Sequence, residues 1–298
     1  MNYSKGTDGD QAERAAHNNG VSSLGPVFPR DCTSPKYVSR CALNLLQLCF
    51  GKDPDEIQQF LDIGCGNGEF TRQDLLPRCL PCRRIVAVDV ARSTLYKARQ
   101  SFSHPKIEYD FLDIEMDVSG FLGQYGQFDR VYSFGALQWT DQEVAFKNIE
   151  KLLTPGGECL LVFSVWTPSM DWWAKIVQKQ PWTKYAKVVE DIFSKHLYAS
   201  DRDAVLDHML EMLEAAKLKR HTCEIAWDVP LVVRNMDLLI NAVLAENPLK
   251  HLLSQEASKE LEEEIVHLIR SETSAEGTSR PIKYLFDRIL IHASKSHV

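Results

Sequence analysis

A glycine-rich turn directly after a buried strand is the feature that most restricts the fold of this chain. Residues 61–70 read LDIGCGNGEF, an apolar run that leads into three alternating glycines, Gly64, Gly66 and Gly68. Glycine lets the backbone turn sharply and approach a ligand that a Cβ would exclude. In open α/β sheets, ligands bind in the crevice beyond the carboxyl ends of the strands. The turn therefore predicts a sheet with a ligand crevice above its first strand.

Short apolar segments alternate with helical segments after this turn. The apolar segments are 60–63, 85–89, 107–109, 128–133 and 159–164. Such alternation specifies a parallel sheet covered by helices on both faces, a doubly wound α/β fold. We expect two more strands at 221–227 and 282–292, and an N-terminal helix that begins at Ser34-Pro35, where serine suits the cap and proline the first turn.

The ends and insertions of this pattern predict the domain organisation. Residues 1–25 are rich in small and polar residues and predict a flexible tail, so the folded domain would span 26–298. Segments 166–215 and 235–272 predict helical cap insertions, and the first holds four of the six tryptophans. These aromatic side chains indicate either a hydrophobic lid over a ligand or the packing of the cap against the sheet.

Composition and charge make several other classes of protein improbable. The net charge is −7 and the basic residues are scattered, whereas a nucleic-acid-binding surface needs clustered Lys and Arg. No apolar run approaches the roughly 20 residues that span a bilayer, and the N-terminus lacks a signal-peptide pattern, so we expect a cytoplasmic protein. Cys79 and Cys82 form a CxxC pair without a second pair at zinc-site spacing, which predicts two reduced thiols and no metal site.

Three acidic residues at strand ends indicate the charge of the ligand. Asp62 lies inside the first strand, where it would repel a pyrophosphate but attract a cofactor with a cationic sulfonium and an α-ammonium group. The glycine spacing also differs from the G-x-G-x-x-G of dinucleotide enzymes, which disfavours a nicotinamide oxidoreductase. Asp89 ends the second strand, where it could accept both ribose hydroxyls, and Asp113 follows the third, where it could accept the adenine amino group.

These segments resemble, in order and at the usual intervals, the motifs of the S-adenosylmethionine-dependent methyltransferase superfamily across residues 58–164. The resemblance implies a seven-stranded sheet of order 3-2-1-4-5-7-6, whose last strand is antiparallel. It also implies S-adenosyl-L-methionine as cofactor. The residues that would contact it are Asp62, Gly64, Gly66, Gly68, Asp89, Val90, Asp113, Ile114 and Ser133.

The loop after the fourth strand, 133–141, carries Gln138-Trp139 and resembles the substrate side of the trans-aconitate and juvenile hormone acid methyltransferases. Residues 184–190, 235–238 and 247–248 are similar to the arthropod juvenile hormone acid family. That resemblance implies a small hydrophobic carboxylic acid as acceptor, oriented by Trp139 and Gln138. The apolar walls would be Phe28, Trp166 and Trp173.

One departure from that family leaves the acceptor open. The juvenile hormone acid enzymes use an N-terminal Gln that helps to hold the carboxylate, but residues 25–31 here, GPVFPRD, contain none. A farnesoic-type or other fatty acid is therefore an alternative, as are trans-aconitate, an amine or a protein side chain. A non-catalytic protein that binds S-adenosylmethionine and a partner is the alternative outside enzymology.

Overall fold

The computed structural model describes residues 35–46, 50–194, 202–233, 235–249, 252–274 and 282–297. The predicted tail and Phe28 lie outside these residues. Within them, one seven-stranded sheet is flanked by helices, and the strand order β3-β2-β1-β4-β5-β7-β6 confirms the predicted topology. The strands are β1 (Gln59–Ile63), β2 (Arg84–Asp89), β3 (Ile107–Phe111), β4 (Phe128–Phe134), β5 (Leu153–Trp166), β6 (Leu218–Val233) and β7 (Ile282–Lys295).

Strands β1 to β5 are parallel, and β7 runs antiparallel to both of its neighbours, β5 and β6. The described helices are α1 (Pro35–Leu46), α2 (Leu76–Cys79, after a π-helical turn at Thr71–Leu75), α3 (Arg92–Ser101), α4 (Ser119–Tyr125), α5 (Gln142–Leu152), α6 (Pro168–Ile176), α7 (Ala186–Ser194), α8 (Arg202–Ala215), α9 (Met236–Ala245) and α10 (Gln255–Ser274). Short 3-10 turns lie at Leu137–Trp139 and Trp182–Tyr185. None of the described helices is both long and apolar enough to cross a membrane.

Successive strand residues alternate between two hydrophobic cores, one on each face of the sheet. Leu61 and Val131 face α4, α5 and α8, whereas Phe60 and Tyr132 face α1, α2 and α3. This is the side-chain alternation that a doubly wound sheet requires. All four of these side chains are fully buried.

A third core lies inside a cap made of α6, α7, α9 and α10. Its members include Trp173, Trp182 and Ile265, and Trp139 packs against it from the loop after β4. Because α6 begins two residues after the end of β5, the cap follows directly from the carboxyl end of that strand. The sequence placed 202–215 in the cap, but α8 packs on the sheet, since Val205, Met209 and Leu213 belong to the first core.

Two strands are longer than the sequence pattern predicts. β6 covers Leu218–Val233 rather than 221–227, and β5 already begins at Leu153, so that Pro155–Gly157 lies within its span. Both extensions pair with a neighbouring strand, because β6 pairs with β7 along its length and Leu153 pairs with Phe128. The extension of β6 contains Pro230 and that of β5 contains Pro155–Gly157, and proline and glycine normally mark turns or strand ends, which explains the difference.

Candidate active site

The glycine turn after β1 has the left-handed backbone that the sequence predicts. The φ angles of Gly64, Gly66 and Gly68 are +74°, +57° and +79°. A Cβ on Gly64 would lie 2.1 Å from Cβ of Ala136, and one on Gly68 would lie 2.4 Å from the hydroxyl of Tyr109. These two glycines are therefore required by close packing between the turn and its neighbours.

Gly66 differs from the other two glycines because its side-chain position is open. Among the described residues, no atom lies within 4 Å of a Cβ added there. Its N–H donates to Oδ2 of Asp89 over 2.9 Å, which holds the turn against the end of β2. A glycine with open space above it suits the close approach of a ligand to the main chain, so the crevice fits a cofactor at this point.

Asp89 ties together the two loops that border the crevice. Its Oδ2 accepts from Gly66 and its Oδ1 accepts from the N–H of Ala91 over 2.8 Å. A carboxylate offers about four acceptor sites, so each oxygen retains one for a further donor. Asp89 is half-buried, and this arrangement fits the predicted grip on two ribose hydroxyls.

Asp62 is a buried acid directly beneath the turn. It is 3% exposed, and its Oδ2 accepts from the hydroxyl of Thr71 over 2.6 Å. Burial raises the pKa of this carboxyl to about 7, the Thr71 hydrogen bond opposes the rise, and the charge of Asp89 adds to it. A cation bound in the crevice would favour the ionised form of Asp62. Sequence reasoning identified the acid but not Thr71.

The side chains of the remaining candidate cofactor-binding residues differ in their burial and in their hydrogen bonds. Asp113 is half-buried and accepts from the N–H of Glu115 over 3.0 Å, and Ile114 is buried beside it. Val90 is 61% exposed, so its apolar side chain is available to a ligand. Ser133 is fully buried, and its hydroxyl donates to the carbonyl of Ile63 over 3.0 Å, which joins β4 to β1 beneath the crevice.

The acceptor-side loop after β4 contains a buried amide and a half-buried indole. Nε2 of Gln138 donates to the carbonyl of Gly135 over 2.7 Å, while its Oε1 is buried and accepts from none of the described groups. Trp139 is half-buried and packs against the cap core. Since Ala136 in the same loop touches the position above Gly64, this loop lies between the cofactor crevice and the cap.

The structure describes the side chain of one of the two tryptophans that the sequence placed in a substrate pocket. Trp173 is fully buried in the cap core, and its indole N–H donates to the carbonyl of Val243 over 3.3 Å. That environment favours the packing alternative for Trp173. Trp166 ends β5, and its side chain, like Phe28, lies outside what the structure describes.

A polar patch at the base of the cap has no counterpart in the sequence prediction. The hydroxyls of Thr167 and Ser169 are 2.6 Å apart, and Ser169 also donates to the carboxylate of Glu246. Burial raises the pKa of Glu246, although the hydrogen bond from Ser169 and the charge of Arg288 oppose the rise. No motif connects these residues, because Glu246 and Arg288 lie far along the chain from Thr167 and Ser169.

Known methyltransferases have sequences similar to that of this chain. Residues 60–157 match the family model described as a methyltransferase domain. Juvenile hormone acid O-methyltransferase of Bombyx mori is 26% identical over 244 residues, which cover 79% of this chain and 84% of that protein. A malonyl-[acyl-carrier protein] O-methyltransferase of Halalkalibacterium halodurans is 33% identical over 116 residues, which cover 38% of this chain and 41% of that protein.

Solved structures agree with the fold. A candidate methyltransferase of Bacillus halodurans superposes with a TM-score of 0.51 at 17% identity, over 85% of this chain and 98% of that one. The strand order, the glycine crevice with its acids and the matching domain model point to one activity and one methyl donor. The chain is an S-adenosylmethionine-dependent methyltransferase built on a seven-stranded sheet, and its sequence is similar to that of the juvenile hormone acid O-methyltransferase of Bombyx mori.

Proposed function

We propose that this enzyme methylates the carboxylate of a small hydrophobic acid, of the juvenile hormone acid or farnesoic acid type, to give a methyl ester. The observation that carries the proposal is the position of Trp139. Trp139 packs against the apolar core of the cap, and Ala136 in the same loop adjoins Gly64 of the cofactor crevice. An acid with its chain in the cap and its carboxylate at Trp139 would present an oxygen toward the methyl donor.

The chemistry requires little beyond orientation and the exclusion of water. Bound S-adenosylmethionine supplies a methyl group that its sulfonium has already activated. A carboxylate is ionised at pH 7 and needs no general base, so the proposal assigns no residue to that role. Trp139 would orient the carboxylate through its indole N–H, and the apolar cap would keep water away. Gln138 would donate a second hydrogen bond to the carboxylate from Nε2, whose other hydrogen is donated to the carbonyl of Gly135.

The extent of the similarity supports an acid of this kind over other acids. The 244 residues aligned with the Bombyx mori enzyme exceed the methyltransferase domain at 60–157, so they must include part of the cap side of the chain. The malonyl-carrier-protein enzymes match over about two fifths of this chain or less. A tricarboxylate such as trans-aconitate would need several cationic partners, whereas the cap core consists of apolar side chains.

A panel of acceptors tests this proposal. Purified enzyme with radiolabelled S-adenosylmethionine should convert farnesoic acid or a juvenile hormone acid to an extractable methyl ester and leave trans-aconitate unchanged. Trp139→Ala should lower turnover at least tenfold with cofactor affinity unchanged. Trp227→Ala is the matched control, because Trp227 is also half-buried but packs against a core of the sheet and not against the cap core. Methylation of trans-aconitate alone, or equal turnover for both variants, would contradict the assignment.

A further inference from the structure

Three side chains with metal-ligating atoms lie together at the edge of the sheet opposite the glycine crevice. They are Glu158, His221 and His292, and their ligand atoms all lie within 4.8 Å of one another. Glu158 pairs with Arg130 near the start of β4, whereas the crevice lies beyond the end of that strand. The cluster is therefore separate from the methyl-transfer site.

The pairing of three neighbouring strands brings these residues together. Glu158 on β5 is opposite Ser294 on β7, so it shares a sheet face with His292, two residues away from Ser294. On β6 the pairing shifts between Arg220 and Thr222, which leaves His221 as the extra residue of a β-bulge. Bulges redirect a side chain, and here His221 approaches the ring of His292, with the ring centroids 4.8 Å apart.

His292 is the residue that most requires a further partner. It is 2% exposed, and its Nε2 has no hydrogen-bond partner within the part of the chain that the structure describes. Oε1 of Glu158 lies 3.6 Å from that nitrogen, which is beyond hydrogen-bonding distance. A buried nitrogen left in this state is unfavourable. A cation between the two atoms would satisfy both.

The immediate surroundings hold these groups in place. The N–H of Gly51 donates to the Glu158 carboxylate over 3.2 Å, and the edge of Phe50 contacts the His292 ring at a centroid distance of 5.1 Å. Ser294 Oγ lies 2.8 Å from Nε2 of His221, which leaves the other ring nitrogen of His221 available. The nearby positive charges are Arg130, stacked on Phe50, and Lys219.

We propose that Glu158, His221 and His292 bind one divalent transition-metal ion, for which Zn²⁺ is the probe. Two histidines, one carboxylate and a water complete a tetrahedral zinc site. With metal–ligand distances of about 2.0–2.1 Å, ligand atoms in such a site lie roughly 3.3 Å apart. The 3.6 Å between Oε1 of Glu158 and Nε2 of His292 is already close to that value, and a ligand atom of the exposed His221 lies within 4.8 Å of both residues. The ion would join β5, β6 and β7 far from the reacting groups, so its role would be to stabilise the fold.

Zinc binding by the whole chain tests this site directly. Protein freed of metal with a chelator should bind one equivalent of Zn²⁺ in calorimetry and show a higher melting temperature. His221→Ala should weaken that affinity at least tenfold, since even the loss of a group that only orients a ligand costs 10–100-fold. The matched control is His267→Ala, which removes an exposed histidine from α10 and should bind as the parent does.

Two further measurements exclude binding elsewhere. Glu158→Gln keeps the shape of the side chain but removes its charge, and it should also weaken Zn²⁺ binding at least tenfold. Co²⁺ in place of Zn²⁺ should give the visible absorption of a four-coordinate ion in the parent protein and lose it in His221→Ala. No response of the parent to Zn²⁺, or equal binding by His221→Ala and His267→Ala, would overturn the proposal. Neither outcome bears on methyl transfer, which is assayed separately.

Discussion

Alanine substitution at two neighbouring glycines should separate packing from ligand binding in the crevice. Gly64 and Gly66 both have positive φ, +74° and +57°, so alanine at either costs about 1–2 kcal/mol in backbone strain. The two differ in what the new Cβ meets. At Gly64 it would lie 2.1 Å from Cβ of Ala136, whereas at Gly66 no described atom lies within 4 Å.

The expected magnitudes follow from this difference. Carbon atoms in contact prefer a separation of about 3.5–4.0 Å, so Gly64→Ala must displace the Ala136 loop by roughly 1.5 Å, and such overpacking costs about 1–3 kcal/mol more. We expect Gly64→Ala to lose about 2–5 kcal/mol of unfolding free energy and Gly66→Ala only about 1–2 kcal/mol. Gly66→Ala should instead lose cofactor affinity, because its methyl group would occupy the space above the main chain.

Urea denaturation and calorimetric titration with S-adenosylmethionine measure the two effects separately. Gly64→Ala should have the lower denaturation midpoint and Gly66→Ala the weaker binding, by at least tenfold. If Gly66→Ala bound the cofactor as tightly as the parent protein, the ligand would not approach that glycine. If it lost as much stability as Gly64→Ala, the open space above Gly66 would be an incorrect description of the folded protein.

Three other predictions concern the acids and the cap. Asp89→Ala should weaken cofactor binding by about 1.5–3 kcal/mol, the value of hydrogen bonds to a charged group; unchanged calorimetric affinity would refute the ribose assignment. Because the pKa of Asp62 in the cofactor-free protein is about 7 and a cation favours its ionised form, affinity should rise with pH up to about 7 and level off above it. Calorimetric titrations with the cofactor at pH 5–9 should show this rise in affinity for the parent protein and a flatter pH profile for Asp62→Asn. Equal slopes for the two proteins would exclude Asp62 as the source of the pH dependence. Trp173→Phe removes the hydrogen-bond donor to the carbonyl of Val243. It should lower the melting temperature, with a loss of about 1–3 kcal/mol of unfolding free energy, and leave cofactor affinity unchanged. Reduced cofactor affinity would argue against a packing role.

The fold was predictable because its signals are local in the sequence. The alternation of apolar and helical segments, with the glycine turn after β1, leads to the parallel part of the sheet, and the resemblance to a known family supplied the order of all seven strands. The same holds for Asp62, which lies within an apolar run, and for Asp89, which ends one. Their structural positions agree with a cofactor crevice, and their individual contacts remain predictions.

The features that sequence reasoning missed depend on strand register and on packing between distant segments. The sequence prediction considered metal ligands only by their spacing along the chain, so it did not group Glu158, His221 and His292, which come from three strands and meet only through their pairing and a bulge. The placement of α8 failed for a related reason. An amphipathic helix has an apolar face whether it covers a sheet or a cap, so its pattern does not identify the partner.

The separate hydrophobic interior of the cap has a consequence for how such enzymes diversify. The buried side chains of the cap form a cluster distinct from the two that hold the sheet, and Trp139 packs against that cluster from the sheet side. Residues there can change in volume and shape over evolutionary time while the donor-binding half keeps its geometry. Under the proposed function, a shared methyl-donating platform can thus acquire new acceptors by remodelling one exchangeable module, and laboratory redesign of selectivity should begin among those same interior positions.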